Sequence, residues 1–338
     1  MNTEARRAQI NILYQGVNIT EDINKDLLSF EYVDNSSKES DSISLSLKDE
    51  KHIWLKDWLP EKGDVIIPTI NILNWNRFND NRSLPCGSFI VDEPEYSGRP
   101  SVFTINAIAS PLNGNFKDIS KSKSWNNITL KAIAGDIASR AGLQLQFISN
   151  INPLYASKEQ TETPDSTFLS DLCEEEGLAM KVTDSKIVIF NEKDFEARAP
   201  IALYKEFQDS VISYSFKSRL ANTNYSGVNV KYYDAKIGKL VEYLYTIGEI
   251  NEKSKIYQLN TQVKDVSEAM RVAKQTALRL NKKETTTSLT VVGNIEILGG
   301  VTVILEEFGA FSGKYYIEKA THTIDNGYVT SFEARKVI

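Results

Sequence analysis

At 338 residues the chain exceeds what one hydrophobic core usually serves, so two or more domains are expected. With 41% hydrophobic and 25% charged residues it has the composition of a globular protein, and a net charge of −6 argues against a nucleic-acid grip, which needs a basic stripe. No stretch is long and apolar enough to form a membrane span, and the opening MNTEARRAQINILYQG lacks the apolar core of a secretory signal. Cys86 and Cys173, the two cysteines, lie far apart, as expected of isolated thiols in a protein assembled in a reducing cytoplasm.

The N-terminal third reads as strands. Ile10, Ile12 and Tyr14 alternate before a turn at Gln15-Gly16, Leu28, Phe30 and Tyr32 alternate after it, and Ile43, Leu45 and Leu47 follow. Between them VDNSSKESDS is hydrophilic enough to predict an exposed loop. HIWLKDWLP forms a short turn ending at Pro60, and VIIPTINIL reads as strand with Pro68 at an edge or bulge. The pattern changes near Ser110. Thr129 is placed to cap a helix whose buried face carries Leu130, Ile133, Ala134, Ile137, Ala138 and Ala141, with Gly142 at its left-handed end. QLQF reads as strand. Asp165 is placed to cap a second helix with Phe168, Leu169, Leu172 and Cys173 inside, ending at Gly177. LAMKV and KIVIF then form a hairpin around Thr183-Asp184-Ser185.

Strands return after Pro200. LLSFEY (27–32) and VISYSF (211–216) share an apolar-apolar-Ser-aromatic-x-aromatic pattern, and each leads to an alternating strand closing on Asp, SISLSLKD and GVNVKYYD. This suggests two copies of one sheet-based unit. A further helix is expected from Asp265, with Glu268 completing a capping box, Val266, Ala269, Met270, Ala273, Ala277 and Leu280 apolar, and Arg271, Lys274, Arg279, Lys282 and Lys283 as exposed cations. The last fifty residues are strand, a Gly299-Gly300 bend, and a hairpin closing on Asn326-Gly327, a dipeptide suited to a type I′ turn.

No catalytic constellation emerges. The two histidines, His52 and His322, lie apart in sequence; His322, inside THT on a strand arm, reads as a sheet-surface or interface histidine. Two histidines and two distant cysteines show no zinc-ligand spacing, so no metal or other cofactor is expected. Glu174-Glu175-Glu176 is expected on solvent at a helix end, and Glu306-Glu307, adjacent in a strand, would point to opposite faces; neither is the converging pair a glycosidase uses. Gly299-Gly300 lacks the following Lys-Ser/Thr of a phosphate-cradling loop.

Taken in order, INILYQGVNIT with LLSFEYVDNSSKESDSISLSLKD, the GDVI…INILNW…LPCGSFIVDEPEY stretch, SWNNITLKAIAGDIASRAGLQLQF, QTETPDSTFLSDLCEEEGLAMKVTDSKIVIF and GKYYIEKATHTIDNGYVTSFEA resemble the phage late control D family, the baseplate hub proteins of contractile tails. The hub half of VgrG-type spike proteins shares that fold. The resemblance implies a mainly β protein with an α+β insertion: a first tube-protein-like β-barrel domain (1–112), an inserted α+β domain (113–198), and a second tube-like barrel (199–338) with a helical insertion at about 235–285. It implies a homotrimeric, pseudo-six-fold ring joining the hexameric tail tube to a trimeric central spike, with baseplate wedge and tape-measure proteins as neighbours and no enzymatic activity. Because no spike domain follows Ile338, a separate spike chain is expected, in a virion or phage-tail-like particle assembled in a bacterial cytoplasm. An acidic ring would also line its lumen with negative charge that repels passing DNA. The other reading of the helix pair from Thr129 to Val182 is a peptidoglycan- or glycan-binding module. Candidate interface residues are Trp75 and Phe78 in the aromatic-bearing loop 74–85, and Asn35 and Asp41, which bound the polar loop facing the tail tube.

Overall fold

The computed structural model describes residues 5–56, 58–109, 116–183, 186–221, 223–234, 238–252 and 254–337. Its centre is a 14-stranded sheet. The first half contributes β1 (Arg7–Tyr14), β2 (Val17–Asn18), α1 (Thr20–Asp26), β3 (Leu27–Asn35), β4 (Ser42–Lys48), α2 (Ile53–Lys56), β5 (Val65–Leu73), β6 (Arg82–Pro85), β7 (Phe89–Ser97) and β8 (Val102–Ile108). Their strict alternation puts Ile10, Ile12, Phe30, Tyr32, Leu45, Ile70, Phe89 and Phe103 on one face, where they form a single core. Burying each large side chain there is worth about 1.5–3 kcal/mol.

An inserted unit follows: β9 (Ser120–Thr129), α3 (Leu130–Ala141), β10 (Gln144–Ile148), β11 (Leu154–Pro164), α4 (Asp165–Glu175), β12 (Leu178–Thr183), β13 (Lys186–Asn191) and α5 (Glu192–Glu196). It has its own core of α3 and α4 packed on β10, β12 and β13. Thr129 Oγ1 accepts from the Ala132 N–H, and Gly142 ends α3 at φ 68°, as its sequence requires. Asp165 departs from expectation. It is the first helical residue behind an extended Pro164, fully buried, and its carboxylate faces Lys121, Arg140 and Gln160 instead of the helix N–H groups. The β12–β13 hairpin forms with Thr183 opposite Lys186; its turn residues Asp184 and Ser185, like the 112/113 boundary, lie outside the described residues.

The second half holds β14 (Ala202–Lys205), β15 (Val211–Ser218), β16 (Gly227–Asp234), β17 (Lys239–Thr246), β18 (Ile256–Leu259), α6 (Val266–Asn281), β19 (Thr285–Val292), β20 (Thr302–Glu306), β21 (Gly313–Ile324) and β22 (Tyr328–Lys336). Here the predicted repeat is real, but its second strand was misplaced. The first copy is β3 paired with β4; VISYSF, as β15, pairs with β19, whereas GVNVKYYD, as β16, belongs to a separate three-stranded sheet with β17 and β18. That sheet packs Val228, Val230 and Val241 against Ala269, Ala273 and Ala277 of α6, a fourth core. The whole unit is inserted between β15 and β19, at the position of the β3–β4 loop in the first copy. Val266 and Met270 lie on the exposed side of α6, because the alanines alone permit close approach to the sheet.

With that correction the duplication extends over six strands. The order β3-β4-β8-β7-β5-β1 in the first half repeats as β15-β19-β22-β21-β20-β14 in the second. Irregularities match as well. Between Leu27 and Ser29 the β3–β4 ladder shifts register, and the β15–β19 ladder does so between Val211 and Ser213. The β7–β8 ladder shifts between Val91 and Glu93, the β21–β22 ladder between Ile317 and Lys319. One strand breaks the likeness: β1 is antiparallel to β5, whereas β14 runs parallel to β20. The expected closed barrels are not observed among the described residues. β21 leaves β20 after its first residues and pairs with β3, so the two halves form one continuous sheet.

The C-terminal hairpin also differs from its expected turn. Ile324 pairs with Tyr328, leaving three residues in the loop, and neither Asn326 nor Gly327 takes a positive φ. Tyr328 has to face inward, where its hydroxyl meets His322 Nδ1 at 2.7 Å, and that parity excludes a two-residue type I′ turn.

Candidate interaction surfaces

The polar loop after β3 is buried at its two ends, with Lys38 and Glu39 exposed at its tip. Asn35, Ser36 and Asp41 are buried, Asp41 Oδ1 accepts from the Asn35 N–H at 2.8 Å, and Lys181 of β12 reaches both Asp34 and Asp41, the latter at 3.1 Å. Asp34 Oδ2 accepts from the Gly299 N–H at 2.7 Å. Hydrophilic composition here serves a buried charge cluster that ties the loop, the inserted unit and the Gly299-Gly300 bend together. Desolvation, with Asp34 adding like charge, outweighs Lys181 and pushes Asp41 up to about 7. Gly299 is required by packing, since a Cβ there would lie 2.5 Å from the Ser36 amide nitrogen.

Glu176 is corrected in the same way. It is buried, accepts from the Tyr155 hydroxyl at 2.9 Å and pairs with Arg271 of α6, so neither it nor Arg271 stands free in solvent. Lys282 pairs with Glu192 at 2.8 Å, and buried Arg335 spans Glu192 and Glu196. Charges read from sequence as solvated faces are therefore seams between units. Only the fold could show this, because each partner lies far away in the chain.

Trp75 and Phe78 part company. Trp75 is 6% exposed, its Nε1–H donates to the Gly293 carbonyl at 2.7 Å, and its ring lies 5.3 Å from that of Tyr328. Phe78, 65% exposed, stays at the tip of its loop. His322 is fully buried with Nε2 2.9 Å from the Ile297 carbonyl, and desolvation lowers its pKa to about 4. It is a neutral core histidine and not the sheet-surface residue expected, and its ring stacks on Tyr32 at 5.8 Å. His52 instead meets the Tyr96 hydroxyl at 2.7 Å. Lys205 lies against both Glu306 and Glu307 on an exposed surface. Cys86 and Cys173 are free, buried thiols, each pushed up to about 12 by desolvation. Among the described residues no three His, Cys, Asp or Glu side chains cluster as metal ligands would, and no helix is long and apolar enough to cross a membrane.

Among the open strand edges are those of β15 and of part of β7. β15 pairs on one side only, with β19, and carries Ile212 and Tyr214 exposed, with Leu220 beyond it. β7 pairs with β5 only at Phe89 and Ile90, leaving residues 93–97 bonded to β8 alone. Such edges are templates for pairing with another strand. Sequence reading missed them, because strand periodicity reports which face is buried and not which edge is paired.

No family model matches the chain. A curated relative, the probable baseplate hub protein of Escherichia phage P2, is 30% identical over 172 residues, which are 50% of this chain and 42% of that protein. The chain thus spans less than half the length of the curated relative it matches. Among solved structures, a 43 kDa tail protein of prophage MuSo2 from Shewanella oneidensis superposes with a TM-score of 0.72 at 15% identity, over 97% of this chain and 98% of that one. A type VI secretion component of Escherichia coli, described as structurally similar to the bacteriophage T4 tail proteins gp27 and gp5, gives 0.59 at 11% identity over 93% and 74%. The chain has the fold of phage tail and type VI secretion proteins. Over half its length it is similar in sequence to a baseplate hub protein, as its motifs led one to expect.

Proposed function

We propose that this chain is the structural hub of a contractile-tail baseplate, a homotrimer that adapts a hexameric tail tube to a trimeric central spike. One observation carries the reading: six strands recur in the same order with both register shifts repeated, so each chain holds two quasi-equivalent sheet units. Three chains would present six such units to a six-fold partner and a true three-fold face to the other. In this reading the two sheet units fall in domains 1–112 and 199–338, with 113–198 as the inserted α+β domain and the second insertion between β15 and β19. In this reading the chain does no chemistry, Phe78 is an anchor for a neighbouring baseplate protein, and Asn35, Asp41 and Trp75 act by holding the loops that partners meet. Tube, spike, wedge and tape-measure proteins are the partners, in a particle assembled in a bacterial cytoplasm. Negative-stain imaging and mass determination of the purified chain, alone and co-expressed with a spike candidate, test the proposal. A three-fold ring with six lobes is expected; a monomer under both conditions would overturn it.

A further inference from the structure

The duplication leaves one junction made and its counterpart open. Inside the chain, the distal part of β21 pairs antiparallel with β3, placing Lys319 opposite Asn35, Thr321 opposite Val33, His322 opposite Tyr32 and Thr323 opposite Glu31. The counterpart of β21 is β7 and that of β3 is β15; among the described residues the outer edge of β15, and that of β7 over residues 93–97, are unpaired. We infer that β7 of one copy of this chain pairs with β15 of a second copy, in the register of the β21–β3 junction. This deepens the trimeric reading above and rests on it.

The register follows from the repeated shifts. Matching the shift between Val91 and Glu93 with that between Ile317 and Lys319 makes Glu93 the counterpart of Lys319 and Tyr96 that of His322. Matching the shifts in the β3–β4 and β15–β19 ladders makes Phe216 the counterpart of Tyr32 and Lys217 that of Val33. Transferring the internal pairing then sets Glu93 opposite Arg219, Glu95 opposite Lys217, Tyr96 opposite Phe216 and Ser97 opposite Ser215. Backbone pairing alone determined that register, yet it lands two acids on two bases and an aromatic pair where His322 stacks on Tyr32. A slip of one residue either way removes both charge pairs. All four charged residues are exposed, and none of their side chains has an ion-pair partner within the chain among the described residues.

Pro94 refines the picture. The Ser36 N–H to Glu318 carbonyl bond sets the alternation of the internal junction and makes Ala320, and hence its counterpart Pro94, a hydrogen-bonding position. Proline has no N–H to donate, so the seam between copies lacks one ladder bond that the internal junction makes. It also spoils the edge for indiscriminate strand addition, leaving the charge pairs to select the partner. The contact is heterologous, head to tail, and therefore builds a ring when the rotation closes.

The test is cysteine cross-linking in the full chain, where native Cys86 and Cys173 are buried. Glu95 and Lys217 would form a non-hydrogen-bonded pair, the antiparallel geometry that brings two Cα atoms within disulfide range. The double variant Glu95→Cys/Lys217→Cys, mildly oxidised, should give dimers and trimers that survive denaturing electrophoresis. Glu95→Cys/Ser218→Cys, which points one thiol to the other face, should give about tenfold fewer. Independently, Glu93→Arg/Glu95→Lys should weaken self-association about tenfold or more with unchanged thermal unfolding, and Arg219→Glu/Lys217→Glu should restore it. Oligomers of native mass without cross-linking at 95/217, or equal cross-linking in the slipped pair, overturn the seam and leave the trimeric hub standing. A monomer throughout overturns both.

Discussion

Lys181→Met isolates the buried charge cluster. The Lys181 side chain is 17% exposed, and those of Asp34 and Asp41 are 6% and 4% exposed, so the substitution leaves two carboxylates in a site almost closed to water. Breaking a buried pair from one side costs about 3–5 kcal/mol, whereas the exposed Lys25–Asp22 pair, at 69% and 51%, contributes well under about 1 kcal/mol. The penalty depends on pH. Asp41 is raised from 3.8 to about 7, so the folded protein holds a proton that the unfolded chain releases between those values. Its contribution to stability is therefore present below pH 3.8 and lost as pH rises through 7. In Lys181→Met that proton is held more strongly still. The destabilisation should reach about 3–5 kcal/mol at pH 8 and shrink to roughly 1–2 kcal/mol at pH 5, where one carboxyl is neutral. Urea unfolding followed by circular dichroism at both pH values measures this, with Lys25→Met as the surface control. Loss below about 1 kcal/mol at pH 8, or a penalty that grows towards pH 5, would refute the account of the cluster.

His322, depressed from 6.5 to about 4, contributes stability that is complete above pH 6.5 and lost as pH falls to 4, on the order of 3 kcal/mol in all. His322→Gln should flatten that slope in pH-dependent unfolding midpoints, even if it lowers stability overall. Gly299→Ala should destabilise by about 1–3 kcal/mol, because its Cβ meets the backbone of Asn35 and Ser36 and not a side chain that can swing away. Gly327→Ala, with open space around it and no positive φ, should stay within about 0.5 kcal/mol. A large loss at Gly327 would restore the type I′ turn.

Local rules made much of this protein legible in its sequence. Alternation in β1 and β4 set their buried faces, Thr129 and Gly142 bounded α3, and the shared LLSFEY/VISYSF pattern pointed to a duplication, because each depends on residues a few positions apart. The order of motifs also carried the likeness to baseplate hub proteins. What stayed hidden depends on distant partners. Asn35 and Asp41 read as exposed because polarity is a guide to burial only until a counter-charge such as Lys181 arrives from another unit. Trp75 read as a surface anchor because the Gly293 carbonyl that receives its N–H lies in the other half of the chain. The true partner of VISYSF, β19, was masked by the intervening unit with its own core. Sequence by itself determined which side chains β1 and β4 would bury and pointed to a chain built twice. Only the tertiary structure decided which strands pair and which edges remain open, because hydrogen bonding between strands is made by backbone groups that every residue carries alike.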